Sequence, residues 1–345
     1  MNDESPPFQI LSLSGGGVRG LYTISVLAEL ETYLAEGSGN PDYWIGQHFD
    51  LISGTSIGGI LGLALASGVT ARQLQEVLDT NRKSIFPKRL YGTSWFHQLV
   101  FGKYNAEQLR KVISDVVGDK TLGEVKTRVL VPAINASTGL VQTFKTPHHV
   151  DFRRDWKYKV VDIALATSAA PTYFPPHKID STTYVDGGLA ANSPALMAFH
   201  EARYFLGQQT QNIRLVSVGT MGQAFTRSGK SKRTHGYWSW GIGKDLISMS
   251  MSSTESLHNQ ITGHLLPETQ RILIDSANTP DNSKIGLELD NASDKAADVL
   301  KAQAQKDAQY KINDQLLKAA FTHVAPTPSF YHGPQKNVAT QESDQ

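Results

Sequence analysis

Phe49-Asp50-Leu51-Ile52-Ser53-Gly54-Thr55-Ser56-Ile57-Gly58 is a short apolar run closed by a glycine turn, and its reading decides the fold. Phe49 to Ser53 reads as a buried strand. Ile57 to Ser67, apolar and rich in Gly and Ala, reads as a helix. Ser56 then stands on a sharp strand-to-helix turn, the setting of a nucleophile elbow. The flanking glycines have a steric reason, because the serine backbone is strained and a side chain on either side would collide with the neighbouring strand or helix. A bare G-x-S-x-G is common, so its meaning depends on what else the chain supplies.

Upstream, Gln9 to Ser14 is another apolar strand, and it runs into Gly15-Gly16-Gly17-Val18-Arg19-Gly20. Leu21, Ile24, Leu27, Leu30 and Leu34 follow at helical spacing. Gly15, Gly17 and Gly20 spell G-x-G-x-x-G, which alone would suit a dinucleotide-binding fold. The same backbone N–H groups could instead hold the oxyanion of a tetrahedral intermediate. Downstream, Asp186-Gly187-Gly188 closes a strand through Thr183 to Val185 and follows Ser56 by 186 − 56 = 130 residues. All these turns fall at strand carboxyl ends, where open α/β sheets place their sites. A dinucleotide fold has use for the first turn and none for the others.

The rest of the chain alternates in the same way. Thr70 reads as the N-cap of a helix to about Arg82, and Asn105 as that of another to Val117. Arg128 to Ile134 is a buried strand with Leu140 to Phe144 as hairpin partner. Val160 to Ala170 is a helix, Ser193 opens one through Phe205, and Ile213 to Val218 and Ile272 to Asp275 are further strands. Leu246 to Leu266 and Ala292 to Phe321 are helical, the second broken once. The pattern predicts an α/β fold: a central, mostly parallel sheet with helices on both faces. Lys83 to Lys103 gathers Phe86, Tyr91, Trp95, Phe96 and Phe101, and two readings stay open: aromatics packed on the core, or a lid or acyl-chain wall beside the site.

Composition sets limits. The 345 residues are 40% hydrophobic and 19% charged, with a net charge of +1, an ordinary globular balance with no cationic excess for binding a nucleic acid polymer. Cysteine is absent, which rules out disulfides, thiolate metal sites and a cysteine nucleophile and suits a cytoplasmic location. Met1 to Phe8 has acids and prolines where a signal peptide would have a basic and an apolar segment. The longest apolar stretch, Ile57 to Val69, is too short to span a bilayer, so membrane contact is expected at the surface. No metal or organic cofactor is expected, because no ligand cluster of suitable spacing appears.

Gly15 to Gly20, Gly54 to Gly58, Ser168-Ala169-Ala170-Pro171-Thr172-Tyr173-Phe174-Pro175-Pro176 and Asp186-Gly187-Gly188 match, in order, the motifs of the patatin-like phospholipases. The chain resembles that family from Ile10 to Thr220. The resemblance implies a three-layer α/β/α fold and hydrolysis of acyl esters of phospholipids at a membrane surface. It also implies a dyad of Ser56 as nucleophile and Asp186 as base, with Gly15, Gly16 and Gly17 as oxyanion hole and Gly20, Gly54, Gly58, Gly187 and Gly188 in support. An ordinary aspartate is a feeble base at neutral pH, so Asp186 needs desolvation. Of 11 histidines, His177 is the first to test as an intervening base, its other reading being a surface or packing residue near the dyad. Arg19 has two readings: an idle, solvated first-turn side chain, mildly unfavourable at a helix N-terminus, or a residue that orders the glycine turn or meets a lipid phosphate.

Residues 8–220 are thus expected to form the catalytic core, 221–325 a C-terminal extension packed on it, and 326–345 a disordered tail. In length and layout the chain is similar to the CapV-type bacterial phospholipases, antiphage effectors that a cyclic dinucleotide switches on. That similarity implies a cyclic dinucleotide activator, work at the inner membrane surface, and a homodimer as one open arrangement. Arg227, Lys232, Arg233, Tyr237 and Trp238 would suit such a ligand through charge and stacking; they equally suit a solvated loop or an anionic membrane surface. The rival functions are a nucleotide-binding regulatory module with an inactive hydrolase site and a constitutive soluble esterase.

Overall fold

The computed structural model describes residues 6–87, 103–222, 244–276 and 286–337. Its centre is an eight-stranded sheet. Five strands form a parallel core in the order β3 (Arg128–Asn135), β2 (Leu51–Gly54), β1 (Phe8–Leu13), β7 (Ile213–Val218) and β8 (Arg271–Ile274). Beyond β3 the sheet turns antiparallel through β4 (Val141–Lys145) and β6 (Thr182–Asp186), and β5 (His177–Ile179) pairs with β6. β1 and β2 are buried along their whole length, as strands covered on both faces must be. Alternation along β1 divides the core: Leu11 and Leu13 join the larger apolar cluster, and Phe8 and Ile10 the smaller.

Helices cover both faces. α1 (Gly20–Ser38), α2 (Ile57–Ala66), α3 (Ala71–Ile85), α4 (Ala106–Val117) and α5 (Val160–Thr167) contribute to the larger cluster. α7 (Ala195–Tyr204) closes the other face over Ile10, Leu51 and Leu215. The expected caps form: Thr70 and Gln73 make a capping box, and the Asn105 side chain accepts from the Glu107 amide. Ser193 opens no helix. Pro194 intervenes, α7 begins at Ala195, and the Ser193 hydroxyl donates to Asn259 Oδ1 at 2.8 Å.

The C-terminal part is built into the same body. α8 (Lys244–Leu265) packs on α7 and on the single turn α6 (Gly188–Ala191), β8 extends the sheet, and α9 (Asp294–Lys311) lies along α1. α10 (Gln315–Thr322) follows the expected break. The expectation of disorder from Pro326 onward is wrong for the described part: Phe330 is buried, the Ala325 N–H donates to Gln47 O at 2.8 Å, and the Tyr331 N–H donates to Pro147 O at 2.7 Å. One aromatic anchor and backbone hydrogen bonds outweigh a polar, Pro-rich composition. Residues 338–345 lie outside the described part, as do 88–102 and 223–243.

Candidate active site

β1 and β2 run in parallel register, with Leu13 opposite Gly54, so the turns that follow them come out side by side. Ser56 bridges β2 and α2 with φ 53° and ψ −125°, a left-handed backbone costing a non-glycine residue about 1–3 kcal/mol. The glycines beside it are required by close approach. A Cβ at Gly54 would stand 2.1 Å from Gly58 O, and one at Gly58 2.3 Å from Leu13 O. Nearby supports lock the elbow: the Ser56 N–H donates to Thr167 Oγ1 at 3.1 Å, that hydroxyl donates to Pro132 O at 2.6 Å, and the Thr55 hydroxyl donates to Ala191 O at 2.7 Å.

Asp186 arrives from the antiparallel side, at the end of β6 opposite Ala133. Gly187 must be glycine, because its Cβ would lie 2.2 Å from Pro132 O. The Ser56 hydroxyl donates to Asp186 Oδ2 at 2.7 Å, and the Gly188 N–H donates to Asp186 Oδ1 at 2.7 Å. The carboxylate is 1% exposed. Burial pushes its pKa up to about 6, against the opposing effect of the Gly188 and Ser56 hydrogen bonds. A group that holds a proton near pH 6 is a far better base than an ordinary aspartate. His177 plays no part in this contact: its Nε2 sits 3.1 Å from Asp162 Oδ1.

The glycine turn refines the expected oxyanion hole. The Gly15 N–H already donates to Asn192 O at 2.9 Å, and the Val18 N–H to Leu289 O at 2.8 Å. The Gly15 N–H is therefore occupied within the protein. The N–H groups of Gly16 and Gly17 have no acceptor among the described residues. Gly17 has φ 58°, and a Cβ there would meet Leu289 O at 2.2 Å. Arg19 orders the turn, with Nε donating to Gly16 O at 3.4 Å; burial lowers its pKa, and Glu255 and Asp275 oppose the shift. Gly20 admits Ile57, whose side chain would lie 2.3 Å from a Cβ, and Gly188 admits Met251 of α8.

Sequence reasoning missed Asn192, Glu255, Thr167 and Leu289. Asn192 Nδ2 donates to Gly15 O at 3.2 Å and to Glu255 Oε2 at 2.8 Å, tying the glycine turn to α8. Its Oδ1 is buried without a hydrogen-bond partner, wedged where a Cβ on Gly15 or Gly188 would fall. Asn192 stands just after Asp186-Gly187-Gly188, which was the available signal. Leu289 acts through its carbonyl, which no side-chain pattern can announce.

From Ser56 and Asp186 an apolar cavity runs between α2, α3 and α4, walled by residues such as Ile60, Leu61, Leu78, Leu109, Ile113 and Phe174. Phe86, from the aromatic stretch, is both core and wall: it packs edge-on against Tyr104 and Phe174 at 5.2 and 5.8 Å and lines the cavity. Tyr91, Trp95, Phe96 and Phe101 lie outside the described residues, as do Arg227, Lys232, Arg233, Tyr237 and Trp238. Among the described residues no group of side chains could hold a metal ion, and no helix is long and apolar enough to cross a membrane. A serine paired to a desolvated carboxylate, beside unsatisfied amides and at the head of an apolar cavity, can transfer an acyl group.

Comparison with known proteins agrees with that chemistry. The family model of the patatin-like phospholipases matches residues 11–199. A cGAMP-activated phospholipase of Pseudomonas aeruginosa is 41% identical over 341 residues, covering 96% of this chain and 97% of the relative. One of Escherichia coli is 38% identical over 346 residues, covering 95% and 96%. One of Vibrio cholerae is 41% identical over 308 residues, covering 83% and 86%.

Proposed function

The chain belongs to the patatin-like phospholipases, and we propose that it is a phospholipase that a cyclic dinucleotide activates, working through Ser56 and Asp186 at a membrane surface. The observation that carries the chemistry is the 2.7 Å hydrogen bond from the Ser56 hydroxyl to Asp186 at the head of the apolar cavity. The activation rests on relatives matched over nearly their full length.

An acyl chain enters between α2, α3 and α4, where burying each CH2 contributes about 0.8 kcal/mol, and the ester carbonyl comes to rest at Ser56. Ser56 Oγ attacks the carbonyl carbon as its proton passes to Asp186. The oxyanion forms within reach of the Gly16 and Gly17 amides, where a single donor is worth about 10²–10³ in rate. Collapse breaks the ester bond, the departing alcohol takes the proton from Asp186, and the acyl group stays on Ser56. Water then attacks; Asp186 accepts its proton and returns it to Ser56 Oγ as the fatty acid leaves.

The test is fatty-acid release from phospholipid vesicles with and without cGAMP. Ser56→Ala should abolish it at every nucleotide concentration. Release that survives this substitution would refute the serine mechanism. Release by the unsubstituted chain that no cyclic dinucleotide alters would refute the activation.

A further inference from the structure

The end of the sheet remote from Ser56 carries a second cleft, of about 540 Å³, a volume suited to a small ligand. One wall is the turn Ile45–His48 with Trp44 before it; the other is the C-terminal segment from Ala325 to Asn337. Trp44 offers an aromatic face, with Lys126 Nζ 5.5 Å from its ring centroid. Lys336 and the amide side chains of Gln47 and Gln335 complete the lining, and both lysines are exposed. Asp50 is the carboxylate on the floor, and its Oδ2 is already occupied, accepting from the Gln9 N–H at 2.8 Å and contacting His323 Nε2 at 2.9 Å. Behind it Arg128 donates to Asp50 O at 3.3 Å and keeps a buried Nε without a hydrogen-bond partner. An aromatic plane, cations and amides around a satisfied carboxylate are the chemistry that recognises a base joined to phosphate.

The position of the cleft suits control of the enzyme. Trp44 to Asp50 belong to the segment matched by the family model, and Ala325 to Asn337 lie beyond it, so a ligand here bridges the catalytic core and the C-terminal part. The floor also begins the strands that carry the active site. Asp50 leads into β2 and the elbow, and Gln9, bound to Asp50, lies in β1, which leads into the glycine turn. Five or six residues of strand separate the two ends, roughly 20 Å at about 3.3 Å per residue. A ligand that draws the C-terminal segment onto Asp50 acts on both strands at once, a differential contact of the kind coupling between sites requires.

We propose, resting on the nucleotide activation above, that this cleft is the cyclic dinucleotide site, with a base against Trp44 and phosphates at Lys126 and Lys336. Binding of cGAMP to the full chain is measured by calorimetry, with AMP, GMP and inorganic phosphate as controls, alongside activator titrations of fatty-acid release. Lys126→Glu and Lys336→Glu, at exposed positions, should each weaken cGAMP binding about tenfold and together about a hundredfold or more, with unchanged melting temperatures and a parallel shift of the activating concentration. Unsubstituted protein that binds and responds to cGAMP, together with a double variant that does so equally well, overturns the cleft and leaves nucleotide activation standing. Loss of binding on reversing Arg227 and Arg233 instead overturns it in the same way. Tight binding of phosphate or AMP alone would also overturn it, by making the cleft a general anion site. If the unsubstituted protein neither binds nor responds, the activation reading fails first.

Discussion

Replacing Asp186 by Asn should make this protein inactive and more stable at the same time. The substitution keeps the shape of the side chain and the acceptor for the Gly188 N–H while removing a buried charge. Asp186 rises from an ordinary 3.8 to about 6 on folding, so the native state binds its proton more tightly than the unfolded chain does. Stability from this group is therefore fully present below about pH 3.8 and is lost as pH rises through about 6. A rise of about two pH units corresponds to about 3 kcal/mol, the cost of holding the ionised carboxylate at neutral pH. With an unfolding entropy of about 2.1 cal/mol/K per residue, that is a gain of about 4 °C in melting temperature for a chain of this length. The neutral amide of the variant carries no such cost. Scanning calorimetry of both proteins from pH 4 to pH 8 should show the advantage of the variant opening between pH 4 and 6 and constant above, while hydrolysis falls by about 10³ or more. A variant no more stable at pH 7.5, or an advantage independent of pH, would refute the desolvated-base argument.

The same carboxylate sets the pH profile: kcat/KM on a water-soluble ester should rise with pH through about 6, since only ionised Asp186 accepts the serine proton, and a flat profile between pH 5 and 7 would count against it. Gly17→Ala places a Cβ 2.2 Å from Leu289 O at a φ of 58°; kcat should fall by about 10²–10³ with KM little changed, and a fall in substrate affinity alone would remove Gly17 from the oxyanion hole. Phe330→Ala should cost about 3 kcal/mol or more by denaturant titration, because that ring is buried in the C-terminal segment; a cost under about 1 kcal/mol would mean the segment is not docked.

The parallel half of the fold was legible because its strands are covered on both faces: β1 and β2 are mostly apolar and buried along their whole length. β5 was missed because His177-Lys178-Ile179 is short and lies at the antiparallel edge. The juxtaposition of Ser56 and Asp186 was legible through the nearby glycines, which mark places where backbones touch: Gly54 against Gly58, Gly187 against Pro132. The supports of the glycine turn were not, because the Leu289 carbonyl reaches it directly and the Glu255 carboxylate through Asn192, both from distant sequence that leaves no spacing to read. Gly15 showed the limit of motif reasoning, since belonging to the turn does not leave its N–H available.

The contact between Val18 and Leu289 has a consequence for how the enzyme comes into being. The glycine turn leaves the ribosome 289 − 18 = 271 residues before the carbonyl that seats Val18. A nascent or truncated chain thus carries Ser56, and later Asp186, before the Val18 N–H has its acceptor. In a cell whose own membranes contain phospholipid, the glycine turn gains this seat only once Leu289 has been made.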